Sequence, residues 1–137
     1  MGDMDVSPEL IRLFYEVWDE AQIGAEYVLS TELPDSVQKL NRSNAVEVER
    51  TLRALNRLGH LVVEGPLEGT FLSTLVGKDV IRIVTRAKPL LEEARQKRED
   101  PDHLAYVDKL YDVCRAKFPD YEPKYESQDR RAIGLAG

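Results

Sequence analysis

The stretch NRSNAVEVERTLRALNRLGHLVVE, residues 41–64, decides how the chain is read. Asn44 can accept backbone N–H bonds at a helix start, and Glu47, three residues on, can reach back to complete a capping box. Val48, Thr51, Leu52, Leu55 and Leu58 recur at helical spacing and so share one buried face. Gly59 can take positive φ and would end that helix at little cost. His60-Leu61-Val62-Val63-Glu64 follows with the β-branched content of a strand. Arg42, Arg50, Arg53 and Arg57 are left for the outer surface. The expected unit is a capped helix, a glycine stop and a strand.

Working outward, Ser7-Pro8-Glu9 is a helix start, with Ser7 as cap and Pro8 at the first helical position. Leu10, Ile11, Phe14, Tyr15, Val17, Trp18 and Ala21 cover more than half the circumference of a helix over 8–22, a band that needs more than one packing partner. Tyr27-Val28-Leu29 reads as a short strand and 34–40 as a short helix. Gly65, Pro66 and Gly69 mark a loop or hairpin tip. Val80-Ile81-Arg82-Ile83-Val84 reads as the returning strand, although Val80, Ile81, Val84 and Ala87 also fit helical spacing. Thr85 caps a helix to about residue 99. A last helix over 103–118 carries Leu104, Val107, Leu110, Tyr111, Cys114 and Phe118 at three- and four-residue steps. The segment 119–137 has no periodic apolar face and reads as a flexible tail.

A chain of 137 residues with 42% hydrophobic content fits one domain with a real core, here expected over 1–118. No apolar run approaches the roughly 18–20 residues that span a bilayer, and no signal-peptide pattern opens the sequence. A single cysteine, Cys114, can form no intramolecular disulfide, so a cytoplasmic protein is expected. The net charge of −6 argues against nucleic acid, but the charge is sorted along the chain. Residues 1–35 hold one Arg against nine acids, residues 36–98 twelve Lys/Arg against seven, and residues 99–137 six against nine. A phosphate-facing surface would have to lie in the positive middle.

In this order of elements the chain resembles the winged helix-turn-helix superfamily of bacterial and archaeal transcription regulators, with a layout similar to the MarR and PadR groups. The resemblance runs from about residue 26 to 86. It is carried by Val48, Arg50, Leu52, Leu55 and Gly59, followed by Leu61-Val62-Val63. It implies a mainly α fold with a small antiparallel β-hairpin, in which the core at 26–86 is flanked by dimerising helices over 8–22 and 86–118. It also implies a homodimer that reads duplex DNA with the helix at 44–58 and a basic wing at 65–79. Arg42, Ser43, Asn44, Glu47, Arg50, Arg53, Arg57 and Lys78 are the expected DNA contacts. The wide apolar stripes on helices 8–22 and 103–118 exceed what a small hairpin and one helix pair would cover. Phe14, Tyr15, Trp18, Leu104, Val107 and Tyr111 are therefore the expected dimer interface, setting two recognition helices about 34 Å apart. The alternative is that the two stripes pack on each other within one chain. Winged helices also serve as protein-binding modules, so a protein partner is the alternative expectation.

Catalytic signatures are absent: the sequence has no Walker loop, dinucleotide fingerprint or Gly-x-Ser-x-Gly elbow. No enzyme and no cofactor is expected. Two histidines, His60 and His103, and one cysteine supply too few soft ligands for structural zinc. The acid–histidine run from Glu99 to His103 reads as an interhelical turn rather than a cation site. Cys114 falls on the apolar stripe as a small core residue. Trp18, Tyr15 and Tyr106 read as core packing before they read as a ligand cleft.

Overall fold

A computed structural model describes residues 7–123. The order is α1 (Pro8–Val28), a single 3-10 turn (Val37–Lys39), α2 (Arg42–Val63), α3 (Gly69–Arg98) and α4 (Ala105–Lys117). No strand occurs among the described residues, so the expected β-hairpin and with it the winged helix are overturned. The mainly α character holds. The expected tail falls largely at 124–137, outside the described residues.

Each misread element has a physical cause. α1 begins as expected, with the Leu10 N–H donating to Ser7 Oγ at 3.1 Å and Pro8 in the first turn. It then runs through Tyr27 and Val28, which form no strand. The cap of α2 is Asn41 rather than Asn44: Asn41 Oδ1 accepts the Asn44 N–H at 2.8 Å, so Asn44 already lies in the first turn. The capping box therefore does not form, and among the described residues Glu47 Oε1 is buried without a hydrogen-bond partner. The segment 34–40 makes only the 3-10 turn.

Gly59 does not stop α2. The helix continues to Val63 and closes at Glu64, whose N–H bonds to the His60 carbonyl at 2.9 Å. Glycine inside a helix costs about 1 kcal/mol relative to alanine. Here it is needed for a close approach, because a Cβ on Gly59 would sit 2.2 Å from the Tyr106 carbonyl oxygen on α4. Nearby, Asn56 Oδ1 accepts the Tyr106 N–H at 3.0 Å. Leu104, the cap residue of α4, offers no side-chain bond, so α2 supplies the satisfaction that α4 lacks at its start. Tyr106 also donates its hydroxyl to Glu64 Oε2 at 3.0 Å.

The segment 80–84 is helical within the 30-residue α3. Val80, Ile81, Ile83, Val84 and Ala87 are all buried, so the 3.6-residue period outweighed β-branched content once the face had neighbours. Thr85 lies inside this helix and caps nothing. Pro89 is also interior but exposed, on the water side, where solvent can satisfy the backbone group left without its helical bond.

Helix directions follow from which residues meet. Gly24 lies so close to α2 that a Cβ there would sit 2.1 Å from the Glu47 carbonyl oxygen, and Thr51 donates its hydroxyl to the Ala21 carbonyl at 2.8 Å. Together with an Arg50–Glu20 ion pair at 3.0 Å, these contacts make α1 and α2 antiparallel. α3 and α4 are likewise antiparallel: Arg95 meets Leu104 at one end, and Gly77 lies under the Phe118 ring at the other. The two pairs join where α2 meets α4, and where Phe14 of α1 packs edge-on against Phe71 of α3 at 5.6 Å.

Gly59→Ala should therefore destabilise the protein by about 1–3 kcal/mol, as overpacking does. The same change at an open helix position would stabilise it by up to about 1 kcal/mol. Urea unfolding measures the sign, and a stabilising result would mean that α4 does not press on α2 there.

Candidate functional site

The antiparallel pair α1–α2 carries the sorted charge of the sequence on two outer faces. On α1, Glu9, Arg12, Tyr15, Glu16, Asp19, Gln22, Ile23 and Glu26 are exposed and recur at helical spacing on one face. Arg12 is the one cation among them. Among the described residues, Glu9, Glu16, Asp19 and Glu26 have no basic partner within ion-pair distance. Two large apolar side chains stand in this acidic field, Tyr15 at 48% exposure and Ile23 at 54%.

On α2 the exposed face carries Arg42, Val46, Glu49, Arg53, Arg57 and His60. The expected DNA-contact residues divide here. Arg42, Arg53 and Arg57 share the face, but Arg53 is bound to Glu49 at 2.6 Å. Arg50 is turned toward α1 and bound to Glu20 at 3.0 Å. Ser43 is exposed in the first turn. Asn44 sits beside Tyr27, whose hydroxyl pKa is raised by burial and by Glu32, against a smaller lowering from the Asn44 hydrogen bond. The Glu47 backbone carbonyl meets Gly24 of α1, and among the described residues its side-chain Oε1 is buried without a hydrogen-bond partner. Lys78 stands on α3 with its ammonium 5.2 Å from the Phe118 ring centre and 5.4 Å from that of Tyr121, a cation–π arrangement away from the α2 row. The segment 65–79 forms a turn and the start of α3, so it is no wing.

The expected dimer-interface residues divide as well. Phe14, Trp18 and Val107 are buried inside one chain, at 0%, 6% and 0% exposure. Leu104 and Tyr111 are half-buried, and Tyr15 alone is well exposed. The apolar stripes of α1 and α4 are thus covered internally, which removes the reason for inferring a second copy from them.

The acid-rich run from Glu99 to His103 is the turn between α3 and α4. Among the described residues no group of three or more His, Cys, Asp or Glu side chains is placed to hold a metal ion. The turn is organised instead by Arg95, a buried guanidinium that the sequence reading passed over. Its Nε donates to the His103 carbonyl at 2.8 Å, and its Nη2 to the Leu104 carbonyl at 3.3 Å and to Asp108 Oδ2 at 2.7 Å. Lys88 bonds the other oxygen of Asp108. Burial would raise the Asp108 pKa, but the hydrogen bonds and charges of Lys88 and Arg95 outweigh it and hold the carboxyl below its usual value. His103 is pushed down by burial and by Arg98, Arg53 and Arg95, against the opposing pull of Asp100. The visible signal for Arg95 was its place one turn after Leu91 on the apolar stripe.

Cys114 is fully buried, and desolvation pushes its thiol up to about 12, so it is not an activated nucleophile. Among the described residues no helix is long and apolar enough to cross a membrane. No protein-family model, curated protein or solved structure matches the chain.

Asp108→Asn should cost about 1–2 kcal/mol at neutral pH by leaving Arg95 only its weaker contact with Glu92 at 3.5 Å, a modest figure because Asp108 is 36% exposed. A carboxyl whose folded pKa is depressed stabilises above its unfolded value and loses that contribution as pH falls through the folded value. The stability gap between wild type and variant should therefore shrink as pH drops below about 4, measured by denaturant unfolding at each pH.

Proposed function

We propose that the chain is a helical protein-interaction module that docks a basic partner on the outer face of α1. The carrying observation is the acidic field of Glu9, Glu16, Asp19 and Glu26, without basic partners among the described residues, around exposed Tyr15 and Ile23. Exposed aromatic and aliphatic side chains supply contact area, and the surrounding like charges select a partner of opposite sign and speed its encounter. A lysine- or arginine-rich amphipathic helix has the matching chemistry. The single cysteine is in keeping with a cytoplasmic setting.

Regulation through duplex DNA is the second reading, favoured by the shared face of Arg42, Arg53 and Arg57. It has less support, because Glu49 and Glu20 counter Arg53 and Arg50. A homodimer under this reading would have to use surface other than the buried Phe14, Trp18 and Val107. Sedimentation should return a monomer near 15.6 kDa that concentrating does not change.

An amphipathic lysine–leucine peptide, titrated by fluorescence anisotropy against duplex DNA in parallel, separates the readings. The peptide should bind, and Glu16→Lys with Asp19→Lys should weaken it about fivefold or more while leaving the melting temperature nearly unchanged. DNA association at low salt that is lost in Arg42→Ala with Arg57→Ala, together with no peptide binding, would replace this reading with the second.

A further inference from the structure

A cleft opens on another side of the molecule, between the 3-10 turn, α2, the end of α3 and the α3–α4 turn. Leu40, Leu52 and Leu90 form apolar walls, and Glu49, Arg98 and His103 supply the polar groups. Its volume is about 140 Å³, close to the roughly 150 Å³ of an apolar cavity that holds one benzene. The wall from the 3-10 turn is fixed in place rather than loose. Glu93 of α3 accepts the Val37 N–H at 3.0 Å and the Ser36 hydroxyl at 3.1 Å. The cleft is therefore preformed, as ligand sites usually are.

The polar groups carry an unbalanced sign. Glu49 is engaged by Arg53, and Glu93 by the 3-10 turn. Arg98 has no acidic partner within ion-pair distance among the described residues. His103 is held below its ordinary pKa first by burial and then by Arg98, Arg53 and Arg95, against the opposing pull of Asp100, so a cation neighbours its ring and the imidazole is a neutral hydrogen-bonding group. An anion beside apolar walls is the complementary occupant.

We propose that this cleft binds a small apolar carboxylate, with a ring or short chain of about six carbons against Leu52 and Leu90 and its carboxylate held by Arg98 and His103. The site uses a different face from the α1 docking surface and stands independently of it.

Benzoate and its neutral counterpart benzyl alcohol, titrated separately into the full chain and followed by methyl NMR, test the site. Benzoate should saturably shift the Leu52 and Leu90 methyl signals. Arg98→Gln should weaken benzoate about two- to fivefold, as expected for an exposed ion pair, and leave benzyl alcohol unchanged. Ala45→Leu, which adds volume at the cleft lining, should abolish both. Unmoved cleft methyls at millimolar benzoate would overturn the proposal. So would equal binding of acid and alcohol that Arg98→Gln does not alter, since the cleft would then be a plain apolar void. Should Ala45→Leu fail to fold, the Arg98→Gln comparison still decides. The charge-reversed α1 variants should bind benzoate like wild type, so failure here is distinguishable from failure of peptide docking.

Discussion

The fold depends on the close approach of α2 to α4 at Gly59. With hydrogen in place of Cβ, the Tyr106 carbonyl can lie against the α2 backbone, and one turn earlier Asn56 reaches the Tyr106 N–H. Buried backbone donors at a helix start must find partners, and this one finds it on a neighbouring helix. Once the joint is made, α2 has no freedom to stop at Gly59. Residues 60–63 remain helical, and Leu61 and Val62 pack against the core as partly buried side chains. A wing strand at that point would remove the surface on which α4 rests.

Arg95 does for the α3–α4 hairpin what Asn56 does for the joint. A buried guanidinium is unfavourable unless every donor direction is used and its charge is met. Two turn carbonyls and Asp108 provide this, with Glu92 at 3.5 Å adding a weaker contact. The turn they hold contains two non-glycine residues in the left-handed region, Glu99 at φ 54° and Leu104 at φ 55°. Such residues are strained, so the surrounding bonds must offset that cost. The same bonds position His103 beside the apolar cleft, linking a stability device to a candidate binding site.

The charge sorting acquires a different meaning in three dimensions. Along the chain it separates an acidic start from a basic middle. In the bundle those segments become neighbouring antiparallel helices, and part of the basic set is neutralised: Glu20 of the acidic segment takes Arg50, and Glu49 within α2 itself takes Arg53. What remains on α1, among the described residues, is a set of acids without ion-pair partners around Tyr15 and Ile23. A positive segment is therefore not a positive surface, and a docking role rests on the charges left over after pairing.

By itself, the sequence determined the start of α1 through Ser7 and Pro8, the buried faces of α2 and α4, and the assignment of Cys114 to the core. These are local or periodic properties, set by capping chemistry and by the 3.6-residue repeat. The tertiary structure alone decided the state of 60–64 and 80–84, where β-branched residues fit either element and burial against neighbours chose the helix. It also decided what Gly59 is for, since a glycine that ends a helix and one that admits another backbone are the same letter. Of the candidate sites, the acidity of the α1 segment was legible in the residues. The cleft was not, because Leu40, Leu52, Leu90, Arg98 and His103 come together only when four separate elements pack, and no spacing within one segment encodes that meeting.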